Sequence, residues 1–437
     1  MAPFGAAPSG PSRPWPFWTT WRRPWAAGSS GACWGPGALA PGRPPGFSSA
    51  RRALQVRERQ GGSSVEQLIR GGGPAIPKGL GASPRGEATP NELGLTPPAW
   101  PIFLLVAATL ALALLSILIG AGSVGPPQAL AFLLGRPEAV ENSYVHMVIT
   151  TLRLPRTLAA LVVGGALGTA GVLMQSVTRN PLAETGLLGV NAGAALGVVL
   201  GLTLAAHTGR SASSLAWAFG GALVASLLVL AVAATGRVGA SPLRLVLAGS
   251  ALGATFRGLT SYLLVTNADV YEEYRFWMLG TVAAVPLERV LEMLPAVAAG
   301  LLLALLMVKP LSALFLGDDV ARALGHRPGL VRAVVSLAVT LLTAAAVAMA
   351  GPISFLGLIA PHLARALAGP RLGQQIGLSL VAGAGILLAA DILSRVIIRP
   401  HEAPVSVLLA YIGAPLLILI ARSKRMLILH GPGGQNR

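Results

Sequence analysis

From Trp100 to Arg422 long apolar runs alternate with short polar stretches. The runs fall near 100–120, 155–176, 185–206, 214–235, 243–265, 287–309, 328–350, 353–368, 374–397 and 404–422. A helix crosses a bilayer with about 20 residues at roughly 1.5 Å rise each. The pattern therefore predicts an all-α polytopic membrane protein with about ten transmembrane helices. The run at 353–368 is short; it follows Gly351-Pro352 and contains Pro361-His362. It is expected to be broken or to dip in and out, which is tolerated only where protein or water surrounds the chain. The second and third runs are rich in glycine, at 164, 165, 168 and 171 and at 189, 193 and 197. Spacings of three and four put these on one helix face and let backbones approach closely.

Residues 1–96 carry no such period. They are dense in Pro, Gly, Ser, Ala and Arg, and five of the eight tryptophans lie between Trp15 and Trp34. Such composition buries too little apolar surface to offset chain entropy, so disorder is expected. No apolar core precedes a small-residue cleavage site, which excludes a secretory signal. Two origins fit: upstream sequence included by a misplaced start, or a basic tail on the cytoplasmic membrane surface. The chain then divides into this segment, a transmembrane domain at 97–425 and a short cytoplasmic tail at 426–437.

Composition sharpens the class. The chain of 437 residues is only 11% charged, against roughly 25% for soluble proteins. Its formal net charge of +17 raises the question of nucleic acid. The basic residues are spread among loops and a tail, with no basic face beside an aromatic platform, so no nucleic-acid partner is expected. Arg179, Arg237, Lys309, Arg322, Arg327, Arg371, Arg422, Lys424 and Arg425 flank the runs on one side. The loop at 266–286 on the other side holds Asp269, Glu272 and Glu273 against Arg275. The positive-inside bias places both termini in the cytoplasm. It leaves Arg136, Arg153, Arg156, Arg395 and Arg399 outside. The single cysteine, Cys33, excludes an intrachain disulfide and any CxxC metal or redox motif.

No catalytic constellation, metal site or cofactor motif is visible. Asp391 lies inside an apolar run with Arg395 four residues on, a spacing that puts both on one helix face and predicts a local ion pair. No GxxxxGKS/T phosphate loop occurs, so the chain is not expected to hydrolyse ATP. The polar insert at 310–327 is more informative. Asp318 and Asp319 sit where a helix N-terminus favours negative charge. Val320, Ala321, Ala323 and Leu324 give an apolar side, Arg322 a polar one, and Gly325 a stop. This short amphipathic helix lacks the aromatics and lysines of a lipid anchor, which favours a protein groove.

Several motifs occur in a recognisable order: RLPRT at 153–157, the Asn-Pro hairpin from Asn180, LVLAGSALGA at 245–254, FWMLGT at 276–281, LGDDVARALG at 316–325, GPISFLGLIAPHLAR at 351–365 and HEAPVSVLLAYIGAP at 401–415. Together they resemble the FecCD-type permeases, membrane subunits of ABC importers for iron–siderophores, haem and vitamin B12. The resemblance covers about 99–425. It implies a type II importer permease like that for vitamin B12, embedded in the cytoplasmic membrane. It also implies a homodimer or a paired homologous permease, cytoplasmic ATP-binding subunits and an extracytoplasmic substrate-binding protein. By the same resemblance Arg153, Arg156 and Arg395 line the outer rim and pair with acids of the binding protein. Arginine suits that role, being always charged and able to form two-pronged bonds. Asn180, Pro181 and Leu182 match the cytoplasmic gate. Gly317, Asp318, Asp319, Ala321, Arg322, Leu324 and Gly325 match the helix that docks on the ATPase. At a second gate stretch some relatives carry small hydroxyl residues, where this chain has Pro242 and Leu243. An iron–siderophore is the expected cargo, ahead of cobalamin and haem. The alternative is a stand-alone secondary transporter or channel, which would need no docking helix and would want more ionisable residues mid-membrane.

Overall fold

The structure, a computed structural model, describes residues 100–120, 123–208, 213–235, 242–283, 285–398 and 401–422. The expectations for 1–96, for the tail at 426–437 and for Arg399 lie outside the described residues. Within them all regular structure is helical. The first span is α1 (Trp100–Leu118). Three short helices follow, α2 (Pro126–Leu133), α3 (Pro137–Val140) and α4 (Ser143–Met147). A π-helical turn, Val148–Arg153, then runs straight into α5 (Leu154–Thr178). A 3₁₀ turn at Thr185–Leu188 leads into α6 (Val190–Thr208), followed by α7 (Ser214–Ala234) and α8 (Pro242–Thr266). After α9 (Ala268–Met278) come α10 (Leu287–Leu306), α11 (Val308–Phe315) and α12 (Asp318–Ala323). The chain closes with α13 (Pro328–Ala350), α14 (Leu356–Ala368), α15 (Leu372–Ile397) and α16 (Val405–Arg422).

The ten expected runs thus correspond to α1, α5, α6, α7, α8, α10, α13, α14, α15 and α16. Among the described residues seven helices are long and apolar enough to cross a membrane; α5 counts among them together with its preceding turns. The other three depart for separate reasons. The 25-residue α8 carries Arg244 and Arg257. In α16 the apolar stretch counted is Val405–Leu419, shorter than the others. The 13-residue α14 spans about 20 Å at 1.5 Å per residue, short of a hydrocarbon core of about 30 Å. Its break lies before it and not at Pro361, which the helix accommodates. Gly351 and Phe355 both take positive φ there. The run at 185–206 is likewise divided, because Gly189 turns left-handed between the 3₁₀ turn and α6.

The core forms around α5, apolar on every side and mostly buried. Its glycines meet those of α15: a β-carbon on Gly164 would lie 2.5 Å from the Gly383 carbonyl oxygen. One on Gly171 would overlap the Gly357 carbonyl at the start of α14. Because lipid tails are as apolar as leucine, dispersion between closely approaching backbones holds such helices together, which is why small residues face one another here. By contrast α1 lies at the periphery, with Phe103, Leu104 and Leu110 exposed.

Candidate functional site

Each end of α5 carries an arginine that meets acids from distant parts of the chain. At the N-terminal end, Arg156 donates through Nη2 to Asp391 Oδ1 at 2.8 Å and through Nη1 to Glu402 Oε2 at 2.8 Å. Asp391, fully buried on α15, also accepts from Arg395 one turn along, the pair its spacing predicts. Arg395 Nη1 donates to the Ser116 and Ile119 carbonyls, both at 2.7 Å. Arg153 donates to the Ile117 and Leu118 carbonyls at 3.0 Å and to the Val124 carbonyl at 2.6 Å. Apart from that of Val124, these oxygens lie at the end of α1, where the last carbonyls lack intrahelical partners; a cation there both bonds them and answers the helix dipole. Gly120 leaves room for the guanidinium in this corner, since a β-carbon would sit 2.5 Å from Arg153 Nε and displace it.

This geometry departs from the outward-facing rim expected of the three arginines. Arg153, Arg156 and Arg395 are all buried, Arg395 to 1% exposure. Burying an arginine is tolerated when carboxylates and carbonyls satisfy its donors. Their charge is directed at this chain's own groups.

At the other end α5 stops at Arg179, which takes φ +51°. Asn180 Oδ1 accepts the Leu182 N–H at 2.9 Å, and the Ala183 N–H bonds the Asn180 carbonyl at 3.1 Å. With Pro181 fixing its own φ, this side-chain turn holds the hairpin. Leu182 stands 40% exposed while Ala183 is buried. Glu184 reaches across to accept the Phe355 N–H at 3.1 Å, which caps α14 and ties the hairpin to the broken segment. At the second gate stretch Pro242 opens α8 and Leu243 is exposed.

The hairpin also meets the amphipathic helix. Arg179 donates to Asp318 Oδ1 at 3.1 Å and to the Leu314 carbonyl. Arg332, from the first turns of α13, grips both Asp318 oxygens at 2.7 and 2.8 Å. The hydrogen bond from Arg332 holds the Asp318 carboxyl below the usual carboxylate range, with Arg179 and Arg322 adding to the pull. Gly317 and Gly325, both at positive φ, bracket α12 and supply turns that a β-carbon would strain. Asp319 pairs with Arg322 at 2.7 Å on the exposed side.

Ala321 does not belong to the outward apolar face expected of α12. It is buried in the chain's own core, whereas Val320 in the helix and Leu324 at its end stand exposed. Glu402, Glu184, Arg179 and Arg332 were not singled out in the sequence as site residues. The signal available for Arg332 was a charge five residues into an apolar run. Among the described residues no cluster of three or more His, Cys, Asp or Glu could hold a metal.

The model of the FecCD transport family matches residues 93–423. The chain belongs to that family. It is 44% identical over 324 residues to the ferric enterobactin transport system permease protein FepD of Escherichia coli, covering 74% of this chain and 94% of that one. It is 41% identical over 281 residues to the iron(3+)-hydroxamate import system permease protein FhuB of Bacillus subtilis, covering 64% and 72%. Among solved structures, a chain assigned as a metal-chelate type ABC transporter in an inward-facing conformation is 27% identical, with TM-score 0.61, covering 75% of this chain and all of that one. Membership in this family makes the chain a transport protein of the membrane and sets aside the stand-alone carrier.

Proposed function

We propose that this chain is the membrane-spanning permease subunit of an ATP-driven importer in the cytoplasmic membrane, and that its cargo is a ferric siderophore. Relatives at 36–44% identity named for ferric enterobactin, ferric hydroxamate and ferric citrate support the cargo class. The observation that carries the mechanism is the joint at Asp318. It links the hairpin at Arg179 to α12, whose Val320 and terminal Leu324 face outward, uncovered by any of the described residues.

In this reading the exposed stripe of α12 sits in a groove on a cytoplasmic ATP-binding subunit. Two copies of the chain, or this chain and a homologous permease, enclose the path, and an extracytoplasmic binding protein delivers cargo. Both termini lie in the cytoplasm, in keeping with the basic loops on the hairpin side. Asn180 and Pro181 hold Leu182 toward the path as a gate. A shift of α12 on ATP binding pulls on Asp318, and through Arg179 on the hairpin. A partner biases the gate only so far as it binds the two gate positions differently. Arg153, Arg156 and Arg395 assist docking of the binding protein indirectly, by fixing the end of α1 and, through Glu402, the segment before α16.

The test is reconstitution of the chain with its ATPase and binding protein in vesicles holding internal ATP. Uptake of radio-iron as a ferric siderophore should require ATP and both companions. Uptake driven by an ion gradient with no nucleotide would overturn the reading.

A further inference from the structure

The helix α8 is 25 residues long, yet it is not among the seven apolar enough to cross a membrane. Its buried residues, Leu245, Ala248, Gly249, Gly253 and Thr260, pack it on the rest of the chain. A β-carbon on Gly249 would overlap the Leu187 carbonyl, so the helix is seated on the segment just after the hairpin. Its opposite face is uncovered, with large apolar residues such as Leu247, Leu259 and Tyr262 exposed beside a narrower stripe of small and polar ones. Ser250, Ala254, Arg257 and Ser261, at i, i+4, i+7 and i+11, are all exposed.

Arg257 stands out on that face. Among the described residues no hydrogen-bonding or ionic partner meets it. It lies three residues past the helix midpoint, about 4–5 Å along the axis. Its guanidinium turns back toward the middle, with Nη1 3.4 Å from where a β-carbon on Gly253 would be. An arginine snorkelling to an interface would reach for the nearer helix end instead. A charge held at this depth faces water or an ion of opposite sign, because hydrocarbon offers it no partner. Ser250, Ala254 and Ser261, its nearest neighbours on the stripe between Leu247 and Val265, are small, which leaves room for a ligand above it.

We infer that Arg257 is a binding residue of the translocation path, selecting metal chelates with a net negative charge by donating to their carboxylate or catecholate oxygens. This rests on the importer reading, in which the uncovered face of α8 borders the path. A guanidinium offers several donors in a fixed fork to such oxygens and keeps its charge at every physiological pH. With two copies of the chain, two such forks would face the cargo.

The test is equilibrium binding of radio-iron chelates to the full-length permease in lipid nanodiscs, without nucleotide. The probes are anionic ferric tris-catecholate and a neutral ferric tris-hydroxamate. The wild type should prefer the anionic chelate by about tenfold, the size of one charge-assisted hydrogen bond. Arg257→Gln should remove that preference and leave the neutral chelate's affinity unchanged, while Arg257→Lys should keep most of it. Equal affinities in the wild type, including no binding of either, would overturn the inference. So would a loss shared by both chelates in Arg257→Gln, which would mark a structural role. The importer reading fails on a different observation, namely ATP-independent uptake in vesicles.

Discussion

The two ends of α5 solve the same problem in opposite ways. At one end Asp391 is sealed, with Arg156 and Arg395 buried against it, Glu402 taking a further donor of Arg156 and the Ser116 and Ile119 carbonyls one of Arg395. At the other, Asp318 joins Arg179 and Arg332 but stays about a third exposed. A sealed cluster in a low-dielectric setting fixes its elements, since any movement strands a charge. A joint in contact with water can lengthen and reform at small cost, because water substitutes for a lost partner. The first end is built to stay still; the second is built to be moved.

That contrast is broken most severely at Asp391. Asp391→Ala leaves the buried Arg395 without a carboxylate and Arg156 with Glu402 alone, and should destabilise the subunit by about 3–5 kcal/mol. Thermal unfolding in detergent measures this; a change under about 1 kcal/mol would mean that the cluster is hydrated. Next in size is Ala321→Glu. Its side chain is buried, so the variant should lose stability by about 1–3 kcal/mol, seen in the same unfolding assay. Leu324→Glu sharpens the comparison from the partner's side. At 60% exposure, this change should leave unfolding within about 0.5 kcal/mol of wild type. It should weaken ATPase subunit binding about tenfold, measured by pull-down titration.

The smallest effect concerns pH. The folded-state pKa of Asp318 lies below its unfolded value, so its contribution is complete above the unfolded value of about 3.9 and is lost as pH falls through the folded one. Coupling of uptake to ATP should therefore hold level between about pH 5 and 8 as far as Asp318 is concerned. A midpoint inside that window that vanishes in Asp318→Asn would contradict the grip of Arg332.

Much of this architecture was legible because lipid imposes length and apolarity on every span. The ten runs and the Asp391–Arg395 pair follow from spacing alone. The short helices α2 to α4 and the π-helical turn did not, since four to eight residues carry too few periods to register. Arg156 and Asp391 are 235 residues apart, and no local pattern announces such a meeting. For the same reason the inward turn of the three arginines was missed: a charge at a helix end reads alike whether it faces a partner or a neighbouring helix. Ala321 was misassigned because the apolar side of a short helix does not reveal which body covers it. Arg257 went unremarked inside LVLAGSALGA and its continuation, where one cation among small residues barely lowers the run's apolar character.

The central claim is that force reaches the hairpin through Asp318. It is tested most directly by the ratio of chelate imported to ATP hydrolysed, measured in vesicles for wild type and Asp318→Asn. The account predicts hydrolysis within twofold of wild type and uptake lower by about tenfold, a coupling loss of the usual allosteric size. An unchanged ratio would place the transmission elsewhere and leave the joint as packing alone.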